Sequence, residues 1–374
     1  MKYMSAVIRS TGLWTPEESV SNDELVACYN AYVEHYNAEH ADAIERGAVE
    51  AKNPSSSGFI EKASGIKSRY TIDKEGVLDI TRMRPRAKPR ANDELSLMAE
   101  AGVAAAKEAL ETAGRDAADV DAVICSATSM QRTYPSMAIE IQDALGIEGF
   151  GFDMTVACSS GTFGIINAVN MIETGMAKSV LVVTPEITTP QLNFRDRDSH
   201  FIFGDVAVAM LIEHEDVAGG QGWKIIGRNL MTKFSNNIRS NFGFLNASEE
   251  PAPAFEDRYF VQEGRKVFKE VCPMVAEMIL SDMGNFGLKP DQMKRLWLHQ
   301  ANINMNMMVA KKVFGRDFTE DEAPVILDEF ANTAGAGSLV AFHRHHDGFE
   351  AGEKGLICSF GAGYSAGTVF VEKL

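Results

Sequence analysis

The sequence has no surplus of positive charge. Lysine and arginine total 36 against 52 aspartate and glutamate residues, a net charge of −16 over 374 residues. An acidic surface repels nucleic acid and anionic membrane, which excludes general affinity for either. A local basic patch that docks an acidic partner stays open. Long apolar runs are also missing. Those at 180–183 and 207–212 fall well short of the ~20 residues that a membrane span needs. Residues 1–12 lack the extended apolar core of a secretory signal, so a cytoplasmic location is expected. Cysteine is scarce: there are five, an odd number, and no two are spaced as CxxC. That argues against a disulfide framework or a zinc ribbon. With 45% hydrophobic and 24% charged residues, the composition is that of a folded soluble enzyme.

Single cores stop growing near ~250–300 residues, so two halves or two domains are expected. Buried strands are predicted at 6–10, 122–127, 179–184, 206–213, 296–299, 356–360 and 369–372. Helical patterns run over 94–113, 136–145, 159–176, 265–283, 303–314 and 336–346. This alternation indicates an α/β architecture. The order of parts repeats, from a strand and helix through a small-residue turn and second helix to two strands. We therefore expect an N-terminal half over 1–215, with inserts near 30–58 and 70–92, and a C-terminal half over 216–374. Cys158 and Asn332 fall at equivalent places, each just before its helix. The stretch 82–90 holds five basic residues and two prolines. It reads as a solvated loop, the alternative being a docking patch for phosphate or carboxylate.

Three polar residues stand out. Cys158 lies in a small-residue turn, Thr155-Val156-Ala157-Cys158-Ser159-Ser160-Gly161, ahead of a predicted helix. A helix N-terminus offers unpaired N–H groups and about half a positive charge, so a stabilised, nucleophilic thiolate is expected. The other cysteines, Cys28, Cys125, Cys272 and Cys358, sit inside helix or strand patterns and read as structural. His299 ends the apolar strand Leu296-Trp297-Leu298. Asn332 precedes Thr333-Ala334-Gly335, where in isolation it reads as an N-cap. The loop Gly361-Ala362-Gly363 between two strands can present N–H groups to an oxyanion. It is no phosphate loop, because no GK[ST] follows.

Taken together, these motifs resemble the β-ketoacyl-acyl-carrier-protein synthase III family of thiolase-like condensing enzymes. The resemblance runs from Thr11-Gly12-Leu13 through Gly65-Ile66 and Arg69, Tyr134-Pro135-Ser136 and Phe203-Gly204-Asp205 to the C-terminal loop. It implies a five-layer αβαβα fold of two similar halves, a homodimer, and no cofactor. It also implies that an acyl-CoA acylates Cys158, with the Cys158 and Ala362 N–H groups as oxyanion hole. Malonyl-acyl-carrier protein would then lose CO₂, with His299 and Asn332 stabilising the enolate that attacks the acyl group. By motif position, Arg197 and Phe59 would contact CoA, and Tyr134 would cap the primer pocket from the neighbouring subunit. Lys269, Lys311 and Lys312 would meet the acidic carrier protein. Two departures stand against this pattern. Phe59 and Ala63 occupy the positions of the adenine clamp, and Asn304 replaces a basic residue. With the inserts, they suggest a primer longer than acetyl, of medium chain length. Other readings are a non-decarboxylating condensing enzyme or a simple acyltransferase of secondary metabolism; HMG-CoA-synthase-like chemistry additionally needs a Glu base near Cys158, for which Glu140 and Glu186 are candidates by sequence proximity. A non-enzymatic acyl-binding module is disfavoured, because Cys158, His299 and Asn332 are all present.

Overall fold

The computed structural model describes residues 6–251 and 258–374; the reading of residues 1–5 lies outside them. Nine strands form the main sheet. They are β1 (Ala6–Trp14), β2 (Ala122–Ser126), β3 (Phe150–Met154), β4 (Ser179–Glu186), β5 (Val206–His214), β6 (Trp223–Ser235), β7 (Met293–Leu298), β8 (Lys354–Gly361) and β9 (Gly363–Lys373). Their order is β7-β8-β9-β6-β1-β5-β4-β2-β3.

The sheet is two sheets in all but name. β1 and β6 pair only through Val7 with Lys224 and Ile8 with Trp223. Outward from this seam, both sides repeat one pattern: antiparallel, antiparallel, then parallel. β3 extends the first side by one more parallel strand.

The strands alternate between two apolar faces. In β5, Val206, Val208, Met210 and Ile212 face one core while Ala207, Ala209 and Leu211 face another. Strands buried on both faces need helices on both. The inner layer is α5 (Ser160–Glu173) with α8 (Gly337–Arg344), to use chain-order labels in which α1 is Asn22–Glu39, α2 Ser57–Ser64, α3 Leu97–Ala113, α4 Met137–Leu145, α6 Gly264–Asn285 and α7 Ile303–Phe314. Ile165, Ile166, Val169, Leu339, Val340 and Phe342 of the inner pair share one core with both sheets. Helices α3 and α4 cover the first sheet from outside, and α6 and α7 cover the second. The five-layer αβαβα expectation therefore holds.

One detail of the repeat is corrected. Ser160 and Gly337 open the two inner helices, each after a single 3₁₀ turn, Ala157–Ser159 and Ala334–Ala336. Ala157 and Ala334 share an unusual positive φ, 45° and 46°. In this register the counterpart of Cys158 is Gly335. Asn332 lies three residues earlier, so it reaches the site from its own part of the turn.

The segment 82–90 is held to the body of the protein. Arg86 pairs with Glu75 and Asp79, Arg90 pairs with Glu100, and Met83 is buried. The loop reading fits these contacts better than a free docking patch. Among the described residues, no helix is long and apolar enough to cross a membrane.

Candidate active site

Cys158 is buried in the 3₁₀ turn that leads into α5. Two serines fix that turn. The Ser160 hydroxyl donates towards the Ala127 and Ala157 carbonyls and accepts from Val156 N–H at 2.8 Å. The Ser365 hydroxyl, from the other half, bonds the Ser159 hydroxyl at 2.9 Å and the Ala362 carbonyl at 2.8 Å. The β8–β9 hairpin closes over the sulfur. A Cβ at Gly361 would fall 2.5 Å from Cys158 Cβ and 3.0 Å from its Sγ, so only glycine permits this approach. The backbone N–H groups of Ala362 and Cys158 both point at the sulfur.

The expected stabilisation of a Cys158 thiolate by N–H donors meets an opposing influence. Burial pushes the Cys158 thiol up to about 12, and nearby Glu186 adds to that rise; the two N–H donors pull it down by less. Burial and the neighbouring acid thus work against the thiolate, and the two N–H donors work for it.

His299 follows β7, with its N–H on the Cys358 carbonyl at 2.8 Å. Its ring packs edge-on to Phe360, 5.3 Å between centroids, beside the Gly361 hairpin. Burial pushes its pKa down to about 3, so the imidazole is neutral. A Cβ at Gly337 would lie 3.4 Å from its Nδ1, which brings the start of α8 against the ring. Gln300 braces this corner, donating to the Leu298 and Pro324 carbonyls and accepting from Ile326 N–H.

Asn332 forms an isolated bridge with Phe203. Its N–H donates to the Ile202 carbonyl at 2.9 Å, and its carbonyl accepts from Gly204 N–H at 3.2 Å. Next to that bridge, the buried Asp205 carboxylate gathers Ile72, Thr188 and Thr189 N–H groups. The Asn332 Oδ1 accepts from Ala334 N–H at 2.9 Å. This contact to the residue two places on is a local turn rather than a helix cap, Thr333 being the N-cap; it occupies Oδ1 and leaves the NH₂ end to point elsewhere. The structure thus draws the turns and strand ends carrying Cys158, His299 and Asn332 around the Gly335 to Gly337 backbone.

The peripheral residues are more scattered. Phe59 and Arg197 meet at α2, the guanidinium 4.3 Å from the ring centroid, with Arg197 Nε on the Pro54 carbonyl. Tyr134 is 83% exposed. Lys269 and Lys312 are exposed on the packed helices α6 and α7, and the equally exposed Lys311 pairs with Asp317 at 3.0 Å. Lys311, Lys312, Met307, Met308 and Phe318 line a 730 Å³ groove. Asn304 sits exposed in the first turn of α7. Glu140 binds Ser96 and Arg132, whereas Glu186 lies beside the cysteine. The four other cysteines are buried in regular elements. Sequence reasoning did not identify the Ser160 and Ser365 anchors, which leave no motif beyond small polar residues near turns. Among the described residues, no group of three or more His, Cys, Asp or Glu is placed to hold a metal ion.

Comparison with known proteins gives this arrangement a lineage. Residues 152–233 match the family model for 3-oxoacyl-[acyl-carrier-protein] synthase III, and residues 283–373 match its C-terminal model. A β-ketodecanoyl-[acyl-carrier-protein] synthase of Pseudomonas aeruginosa is 54% identical over 346 residues, covering 92% of this chain and 99% of that protein. A β-ketoacyl-[acyl-carrier-protein] synthase III of Chelativorans is 30% identical, covering 82% and 93%. Among solved structures, the 3-oxoacyl-[acyl-carrier-protein] synthase III of Aquifex aeolicus superposes with a TM-score of 0.75 at 22% identity, covering 98% and 99%. With this fold and these relatives, the chain belongs to the 3-oxoacyl-[acyl-carrier-protein] synthase III family of acyl-transferring condensing enzymes.

Proposed function

We propose that this enzyme takes a medium-chain acyl group from an acyl-CoA onto Cys158 and condenses it with malonyl-acyl-carrier protein in fatty acid synthesis. The observation that carries this reading is the Gly361 hairpin closed on the Cys158 sulfur, with the Ala362 and Cys158 N–H groups aimed at it. As the thiol attacks the thioester carbonyl, those donors stabilise the developing oxyanion. The thiol proton leaves with the CoA thiol, giving acyl-Cys158. Malonyl thioester then enters. Loss of CO₂ leaves an enolate whose oxygen is held by a neutral His299 N–H and the Asn332 NH₂, and its carbon attacks the acyl carbonyl. Cys158 leaves as a thiolate, and the product is a β-ketoacyl-carrier protein. No added cofactor enters these steps.

Primer length is inferred from the relative that is 54% identical. A ten-carbon β-keto product takes two carbons from malonyl after CO₂ is lost, so an eight-carbon primer is expected here. The exposed lysines Lys269, Lys311 and Lys312 supply local attraction for an acidic carrier on a chain of net charge −16. Strand β3 is a sheet edge, with Phe150 and Phe152 40% and 37% exposed on one face. We read that edge as the homodimer contact, since an open edge invites a second strand. Tyr134 then reaches the partner's primer pocket. We divide the chain into halves at 215/216, between β5 and β6, and place the enzyme in the cytoplasm. The test is labelled malonyl-carrier protein offered with a series of acyl-CoAs. CO₂ release should peak at the eight-carbon primer, and no release with any primer refutes the reading.

A further inference from the structure

The reaction above makes no use of Glu186, although its carboxyl is buried at the end of β4 next to the nucleophile. Its Oε1 accepts from Thr128 N–H at 2.8 Å, the Thr128 hydroxyl at 2.9 Å and Gly335 N–H at 3.0 Å. Thr128 follows β2 in the first half. Gly335 belongs to the turn that carries Asn332 in the second half. A Cβ at Gly335 would stand 2.6 Å from the same Oε1 and 3.2 Å from the Ala157 carbonyl oxygen. The turn of Cys158, the turn of Asn332 and this one carboxyl oxygen therefore close on each other. A carboxyl is costly to bury, and one accepting hydrogen bonds from two halves is costly to remove, because the donors it satisfies are left unpaired.

We propose that Glu186 is a positioning residue for the condensation, pinning the Asn332 turn against the Cys158 turn across the two halves. The proposal rests on reading Cys158 as the acylated nucleophile. A carboxylate beside the sulfur also opposes its ionisation. Burial holds Glu186 up to about 8, so its charge appears only above that pH, where it disfavours the Cys158 thiolate. The other titratable groups around it are the Cys125 and Cys158 thiols; Thr128, Ser160 and Gly335 are uncharged, and His299 is neutral.

Two substitutions separate this role from simple space filling. Glu186→Gln keeps an oxygen for the three donors and removes the charge; Glu186→Ala removes the acceptor. Iodoacetamide labelling of Cys158, followed by mass spectrometry across pH, reads the sulfur directly. Above pH ~8, Glu186→Gln should label ~3–10-fold faster than the wild type, its profile moved to lower pH. Thioester formation from octanoyl-CoA and decarboxylation of malonyl thioester should each fall at least ~10-fold in Glu186→Ala and stay within ~3-fold in Glu186→Gln. Unchanged half-reactions in Glu186→Ala overturn the proposal, and so does a loss in Glu186→Gln as large as that in Glu186→Ala; superposable labelling profiles overturn the charge effect. If Glu186→Ala fails to fold, the half-reactions of Glu186→Gln decide, and a loss beyond ~3-fold in either overturns the proposal. Labelling needs no acyl-CoA. A wild type that labels but never forms a thioester therefore refutes the proposed function and still leaves the Glu186 comparison to be decided.

Discussion

Replacing Gly361 by alanine puts the hairpin contact to the test. The new methyl carbon would start 2.5 Å from Cys158 Cβ and 3.0 Å from Sγ, where carbon atoms settle at about 3.5–4.0 Å. Something must move by about 1 Å. The Cys158 turn is fixed by Ser160 and Ser365, so the hairpin yields and carries Ala362 N–H away from the sulfur. Overpacking of this kind costs about 1–3 kcal/mol of stability. Losing one oxyanion donor costs on the order of 10²–10³ in rate. Thioester formation on Cys158, followed by intact-protein mass spectrometry under single-turnover conditions, should slow by that factor in Gly361→Ala. Decarboxylation of malonyl thioester relies on His299 and Asn332 and should change far less. Acylation at the wild-type rate in a folded variant refutes the assignment of Ala362 to the oxyanion hole.

The remaining predictions are more direct. Cys158→Ser should form no thioester with any acyl-CoA, as read by protein mass. His299→Ala should acylate normally while CO₂ release drops ~10²–10³-fold, and equal loss of both steps contradicts its role. If β3 forms the proposed homodimer contact, the wild type should scatter light as a dimer and Phe152→Glu as a monomer, and an equal mass for both removes β3 from the interface. His200 is buried and pushed down to about 4, so as pH falls the unfolded chain takes up its proton first. That contribution to stability is complete above about 6.5 and is lost progressively towards 4. The stability gap between the wild type and His200→Gln should therefore shrink by about 3 kcal/mol between neutral pH and pH 4, measured by denaturant unfolding. A gap independent of pH refutes it.

Much of this architecture is visible in the sequence because both sheets are covered on both sides. Strands such as β4 and β5 become uninterrupted apolar runs that no surface element resembles. The two strands of the main sheet that the pattern does not predict lack that signature. β3 is a partly exposed edge with a glycine and an aspartate, and β6 runs from a buried tryptophan into a mostly exposed end. Helix α1 begins at Asn22 with a Ser21–Glu24 capping box, earlier than the expected insert near 30. Cys158, His299 and Asn332 draw attention in the sequence because each lies beside the start or end of a regular element. Glu186 was reachable only as a nearby acid. Its partners lie 58 and 149 residues away, and folding alone brings them together.

The seam between the sheets has a consequence for how this enzyme tolerates change. Only two residue pairs join β1 to β6, so the ladder does little to hold one half in line with the other. Alignment falls to the paired inner helices, where a methyl at Gly161 would strike the Gly335 carbonyl oxygen at 2.6 Å. Drift at that crossing should therefore erode turnover well before the chain loses its ability to fold, making the helix pair a place where evolution can trade catalytic speed without endangering the scaffold.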